Sequence, residues 1–513
     1  MERVRALFGG DPLANSLFLL AIAIGFFHGW IKYKYTGLVS TFAFDLPLTF
    51  ALVLALARAG ATGSWFPPQN SVANGLKLLT ASALLYAVLP FGIPMLASFA
   101  AFRAWVVIPL IFLLGYHVTR SVRQVEVLLT MVIVLCCVTV YFGARQTPEE
   151  IRAMLAANPD LARRLSGTFF ANADGGGGLR AFSTFVSAGA FGGTLSTGGI
   201  CAFAYLTQPG QTVVKRLLFG GALALAAYGI NLSGARTAVA MLALGVIITA
   251  WSRQSLLKYV VIPGGAMAVV GLGSLIDPAR LARFSALLDP AELWGRLSIV
   301  IGPGMDEIAN SPLGGGLGRS GHGVPYVFAN ILGSWDVKPV DGDLGRIAVD
   351  FGIPGLIVFG VLLWAGIRAC LGWMIRLRGS GLHTVVICAA AVFIIAAMNI
   401  GTGSPYLGVP GGALTWFLLG AVNRLVDVQA QVSAAATERA SSDPRLTPFG
   451  GSAEISPDTL GLAQAPPSNG QAPRRRMLYQ QSEAAGLPEP RREVSPRSTG
   501  RRARRLFGDN SSQ

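Results

Sequence analysis

Residues 277 to 346 read DPARLARFSALLDPAELWGRLSIVIGPGMDEIANSPLGGGLGRSGHGVPYVFANILGSWDVKPVDGDLGR, a polar, Gly-rich run between two long apolar segments. It is the only large soluble-looking insertion in a chain that otherwise reads as membrane as far as Val426. Apolar windows that flank an aqueous loop are the pattern of membrane-spanning helices. Chemistry is therefore sought first in this loop.

Of the 513 residues, 52% are hydrophobic and only 13% charged, with a mean hydropathy of +0.54. A water-soluble globule carries about 25% charged residues, so that class is excluded and an all-α polytopic membrane protein is expected. Windows long enough to cross about 30 Å of hydrocarbon fall near 14 to 31, 36 to 57, 75 to 92, 98 to 117, 124 to 143, 184 to 206, 216 to 233, 236 to 252, 256 to 276, 346 to 368, 383 to 403 and 408 to 426. They make about twelve transmembrane helices. Lys and Arg near helix ends favour the cytoplasmic side, and Arg58, Arg120, Arg123, Lys215, Arg253, Arg376 and Arg424 share one side of a twelve-span chain, with both termini. Lys32 and Lys34 fall on the other side among Trp30, Tyr33 and Tyr35, where an aromatic belt lets their stems snorkel. His28, Trp30 and Lys32 follow the first apolar segment where a cleavage site would need small residues, so it is expected to remain as the first span.

Six stretches follow: residues 1–143 with about five helices; 144–183, an outer loop with a short helix; 184–276 with about four helices; 277–345, the large outer loop; 346–426 with about three helices; and 427–513, a disordered basic tail. The tail's arginine blocks, such as Arg501 to Arg505, suit either solvation or the anionic headgroups of membrane lipids. No nucleic-acid partner is inferred from the pI of 10.1, since the excess charge follows topology and tail. Cys136, Cys137, Cys201, Cys370 and Cys388 lie inside spans without metal-binding spacing and read as small core residues.

In the first outer loop, Thr147-Pro148-Glu149-Glu150 forms a capping box that predicts a helix to about Leu165. Gly175 to Gly178 exclude stable helix or strand and predict a mobile connection before Arg180. In the large loop, Asp289, Pro290 and Glu292 cap a helix carrying Arg296, interrupted at Gly302-Pro303-Gly304. Asn310 to Gly318 then brings glycines whose amides could approach an anion, followed by Arg319 and His322. The loop closes on Asp341, Asp343 and Arg346, with Asp350 a turn inside the apolar zone. Arg236 opens the eighth span. An ionisable residue at such depth is a functional candidate by default, although Arg236 would also be explained by pairing with Asp350 or by snorkelling outward. Asp45 is the one charge that would serve a cytoplasmic gate, and His28, His117 and His383 read as interfacial.

Ser233-Gly-Ala-Arg236, Arg296 ahead of Ser311-Pro-Leu-Gly314 and Gly316-Leu-Gly318, and Asp341-Gly followed by Gly352-x-x-Gly355 resemble the O-antigen ligase and Wzy-type polysaccharide polymerase superfamily. The Arg180-Ala-Phe-Ser-Thr-Phe185 segment fits the same pattern, and the likeness covers roughly residues 120 to 426. It implies a GT-C-like bundle with a helical periplasmic cap in the bacterial inner membrane. It also implies a glycosyltransferase that draws on undecaprenyl-diphosphate-linked glycan and requires no cofactor, nucleotide sugar or metal. Ligases usually place a histidine where Asp341 stands, which favours a polymerase of exopolysaccharide, capsule or O-antigen repeat units over an O-antigen ligase. A flippase and a chain-length regulator of the same pathway would be its partners. By this resemblance Asp341 is the base, with Asp343 and His322 in reserve. Arg236 and Arg180 hold the diphosphate, Arg296 or Arg319 adds contacts, and Arg346 binds substrate or orients an acid. A transporter of the same lipid-linked sugars is the reading from another class; it would line both halves of a transmembrane path with charge.

Overall fold

The computed structural model describes residues 12–35, 42–61, 63–68, 70–89, 91–157, 169–171, 177–253, 290–324, 337, 338, 340, 342–401 and 403–442. Helices dominate: α1 (Pro12–Phe26), α2 (His28–Lys34), α3 (Asp45–Ala61), α4 (Ser71–Val88), α5 (Met95–Val118), α6 (Val122–Arg145), α7 (Pro148–Ala157), α8 (Ala188–Leu206), α9 (Val213–Ser233), α10 (Arg236–Ser252), α11 (Pro290–Asn310), α12 (Gly342–Arg376), α13 (His383–Met398) and α14 (Gly411–Ser442). Five of them (α4, α5, α6, α9 and α12) are long and apolar enough to cross a membrane, six if α1 and α2, bent by 67°, count as one span. This is a multi-pass membrane protein by helix length and composition.

Local chemistry sets the helix starts. Asn70, Ser121, Ser187 and Thr212 each accept, through a side-chain oxygen, the amide three residues on, so an otherwise orphaned donor at four helix starts is satisfied. The Thr147–Glu150 capping box forms in both directions, with Glu150 N 3.2 Å from Thr147 Oγ1 and Thr147 N 3.4 Å from Glu150 Oε2. Gly234, left-handed at φ 56, ends α9 and lets α10 begin two residues later.

The helices run between two ends of the bundle. At one end Thr184 donates to the Phe26 carbonyl, Tyr86 to Leu313 and Ser98 to Leu317, which gathers the connections after α1, α4, α6 and α11. At the opposite end His117 meets the Trp65 carbonyl, Tyr116 donates to Asp427, and Ser252 and Arg253 meet His383. Between them the core is aromatic and small: Phe18 stacks on Phe417 with centroids 4.0 Å apart, and a side chain at Gly115 or Gly420 would strike the facing backbone. Small residues at crossings are what permits such approach where lipid offers no hydrophobic drive.

Three local expectations are corrected. Gly177–Leu179 is a strand, paired antiparallel with Phe169–Ala171, because three ladder pairs suffice to order a short glycine segment within a hairpin. Helix α11 runs through Gly302-Pro303-Gly304 without a break. A Cβ at Gly304 would lie 3.2 Å from Ala348 Cβ, so these residues let α11 lie close against α12, and tertiary packing overrides propensity. Helix α14 continues past Asp427 to Ser442, through the helix-favouring Gln429 to Arg439 stretch. The tail expected from 427 therefore begins as helix; residues 443–513, the window 256 to 276 and the helix end near Leu165 lie outside the described residues.

Candidate functional site

The glycine motifs form a latch. Helix α12 is broken at Gly352 (φ 62, ψ −150), and the broken strand of backbone receives the loop after α11: Gly315 N donates to Val349 O (2.8 Å), Gly316 N to Asp350 O (3.1 Å) and Ile353 N to Pro312 O (2.9 Å). A Cβ at Gly314 would lie 2.5 Å from Gly352 N, so contact between the two motifs requires glycine on both sides. The amides of Gly314, Gly315 and Gly316 are spent on carbonyls rather than left to cradle an anion. Asp350, fully buried, completes the latch by accepting from Ser320 N (2.7 Å), Ser320 Oγ (3.0 Å) and Trp105 Nε1 (2.9 Å). These bonds, and not Arg236, account for its carboxylate.

Asp343 does the same for a second loop. Also fully buried, it accepts from Tyr406 N (3.1 Å) and from Arg346 (3.3 Å), while its own amide donates to Gly403 O (2.9 Å). Arg346 donates also to Ser404 Oγ. Asp343 is thus an anchor for residues 403–406 and an orienter of Arg346.

Above these anchors lies a cavity of two adjoining lobes, about 390 and 490 Å³, which share Val186, His322, Arg346 and Val409 on their walls. The first lobe carries His28, Lys32 and the ion pair of Arg103 with Asp45. Among the described residues the second is polar and carries no charge but Arg346, with Thr194, Thr197, Thr237, Asn399, Ser404 and Thr415. Arg346 is half-buried at the junction, where low dielectric strengthens its field. The His322 ring lies edge-on to Trp105 (5.7 Å), and its Nε2 is buried without a hydrogen-bond partner among the described residues. Burial, and the charges of Arg346 and Arg103, hold the imidazole well below its ordinary pKa, so it is neutral near pH 7.

The other expected residues fall as follows. Arg180 donates through Nε to Ser233 O (3.2 Å), beside the turn that opens α10, so Arg180 and Arg236 are brought to one place. Arg236 is half-buried, and the next residue, Thr237, lines the second lobe. Arg319 is ion-paired to buried Glu307 (3.9 Å), which Lys338 also contacts; Arg319 lines neither lobe. Arg296 lies in α11 with its side chain outside the described residues, as does Asp341 entirely. The residues flanking Asp341 divide between the lobes: Val340 lines the first and Gly342 the second.

Sequence reasoning missed Arg103 and misplaced three others. His28 and Lys32, read as interfacial, line the first lobe; Asp45, read as a charge for a cytoplasmic gate, begins α3 at the cavity end and pairs with Arg103. Arg103 stands within the apolar window 98 to 117, so the criterion that singled out Asp350 would have found it. Comparison with known proteins returns no matching family and no matching curated protein.

Proposed function

We propose that the chain is a glycosyltransferase of the cell envelope, polymerising undecaprenyl-diphosphate-linked repeat units within a twelve-span, GT-C-like bundle of the bacterial inner membrane. The observation that carries this reading is Arg346, fixed by Asp343 and Ser404 at the wall common to two lobes. A transfer between two glycans needs two compartments and a cation where they meet, because the leaving group is a diphosphate whose developing charge must be balanced. An arginine held on two sides keeps its planar fork aimed at phosphate oxygens without reorganisation. Arg180 and Arg236, beside the second lobe, supply further positive charge to the same diphosphate.

In this mechanism an acceptor hydroxyl oxygen attacks the anomeric carbon, the bond from that carbon to the diphosphate oxygen breaks, and the hydroxyl proton passes to a base. Asp341, whose chain neighbours Val340 and Gly342 line the first and the second lobe, is assigned as that base; a single displacement inverts the anomeric centre. Asp343 and Asp350 do not serve, since their oxygens are occupied in holding loops. One observation favours the ligase reading: His322 brings an imidazole with a bare Nε2 to the junction, a histidine from the same outer loop as Asp341 but 19 positions before it. The transporter reading has less support, because both lobes lie at one end of the bundle. The twelve-span count requires one more crossing between Arg253 and Pro290, for which the sequence offers the window 256 to 276.

The test is the surface polysaccharide of a deletion strain complemented with wild type, Arg346→Ala or Asp341→Asn, with membrane levels checked by blot. Loss of polymer with single repeats accumulating on the lipid carrier is the expected outcome. Intact long chains stranded on the carrier would point to a ligase, and full rescue by both variants would overturn the assignment.

A further inference from the structure

At the end of the bundle opposite the two-lobed cavity, a groove of about 640 Å³ opens between α6, the α8–α9 connection and α9. Its lining changes chemistry along the helix axis. Glu126 lies one turn into α6, Gln208 in the connection and Lys215 in the first turn of α9, so opposite charges face one another at the mouth. Deeper in, the walls are apolar, with Val134 and Val138 from α6 and Leu218 and Phe219 from α9. Val134 is 55% and Leu218 66% exposed, so the groove opens sideways to the surroundings of the bundle. From Glu126 to Val138 the helix rises about 18 Å, close to half of the roughly 30 Å hydrocarbon thickness. The groove therefore has the depth of one leaflet.

A second observation points to an occupant. Tyr205, only 4% exposed, lines the groove with its ring stacked on Phe219 (5.1 Å, 19°), and its hydroxyl is buried with no hydrogen-bond partner among the described residues. A buried hydroxyl is costly to leave unbonded, and the residue that carries it belongs to the groove's wall.

We propose that this groove binds one aminophospholipid of the adjoining leaflet. Its ammonium donates to Glu126, its phosphate accepts from Lys215, an ester carbonyl beneath accepts from the Tyr205 hydroxyl, and one acyl chain runs along the apolar walls. The charge order at the mouth sets the class. Glu126 repels a purely anionic headgroup, and the trimethylated ammonium of a choline lipid has no N–H to donate. This site rests on the membrane-spanning character of the bundle alone and is independent of the chemistry at the other end.

The test is native mass spectrometry of the full-length protein in detergent, given equal amounts of phosphatidylethanolamine, phosphatidylglycerol and phosphatidylcholine with matched acyl chains. Wild type is expected to retain the ethanolamine lipid about tenfold over the choline lipid, the ratio that one charge-assisted hydrogen bond of about 1.4 kcal/mol represents. Glu126→Gln should bring that ratio near unity, and Tyr205→Phe should lower retention about threefold. Leu218→Trp fills the apolar wall from an exposed position without touching the mouth, and should lower bound lipid of all three classes. Equal retention of the three lipids by wild type, preference for phosphatidylglycerol, an unchanged ratio in Glu126→Gln, or unchanged lipid in Leu218→Trp would each overturn the proposal.

Discussion

Gly352→Ala isolates the latch between the loop after α11 and the break in α12. At φ 62 and ψ −150 the backbone occupies a region essentially restricted to glycine, which costs another residue about 1 to 3 kcal/mol. The added Cβ would also overlap the Pro312 carbonyl oxygen and the Gly314 nitrogen, backbone atoms that cannot swing aside, and overpacking of this kind costs a further 1 to 3 kcal/mol, roughly. The expected loss is about 4 kcal/mol. With an unfolding entropy of about 2 cal/mol/K per residue, a bundle of this size should melt about 4 °C lower. Four of the five cysteines are buried, so a thiol-reactive fluorophore added during a thermal ramp in detergent reads the transition directly. Gly360→Ala is the control: it lies in the same helix, a Cβ there meets nothing within 4 Å, and the change should be neutral or stabilising by up to about 1 kcal/mol. If the two variants melt within a degree of each other, the latch is not the packed element described here.

Asp350→Asn replaces one acceptor oxygen by an NH2 that faces existing donors and should cost about 1 to 3 kcal/mol, seen in the same melt; an unchanged melting point would show that the three bonds to Ser320 and Trp105 contribute nothing net. For His322 the folded pKa lies below the unfolded value, so the unfolded chain binds more protons as pH falls. Stability should therefore be complete above about pH 6.5 and decline as pH drops below that value, and His322→Gln should flatten the decline between pH 7 and 5. Identical pH profiles would count against a buried neutral imidazole. Asp45→Asn and Arg103→Gln each leave one half-buried charge without its partner, so the double variant should be less destabilised than the sum of the singles by about 0.5 to 3 kcal/mol; strict additivity would contradict the ion pair.

How much was legible in the sequence depends on the range of the interaction involved. Helix positions follow from hydropathy, which is local, and the start at Thr147 was legible because its capping box bonds three residues away; the caps at Asn70 and Ser121 are of the same local kind but were not read. Gly302-Pro303-Gly304 misled because the cost of those residues in a helix is visible locally, whereas the contact of Gly304 with Ala348, 44 positions on, is not. Asp45 was visible as a buried charge, but its sidedness depended on where α3 begins, and its partner Arg103 lies 58 residues away. The glycines near Ser311 and Gly352 were legible as a motif but not as two halves of one contact. A glycine records that something comes close without recording what.

The two buried carboxylates illustrate how a site can be built in an apolar bundle without consuming the groups that act in it. Asp350 and Asp343 are fully buried at the cavity end, and each accepts from a loop donor, Ser320 or Tyr406, as well as from a helix side chain, Trp105 or Arg346. Each converts the desolvation cost of a buried charge into a fixed loop position, Ser320 to Val324 in one case and Gly403 to Leu407 in the other. Those loops supply His322 from one side and Ser404, Leu407 and Val409 from the other to the cavity that Arg346 divides. Depth alone therefore marks an acid as important without saying how. The criterion that separates an anchor from a reacting group is the state of its hydrogen bonds: a carboxylate with its lone pairs filled by loop donors holds the wall. By the same criterion the half-buried imidazole of His322, whose Nε2 has no hydrogen-bond partner among the described residues, is available to a ligand at the junction of the lobes.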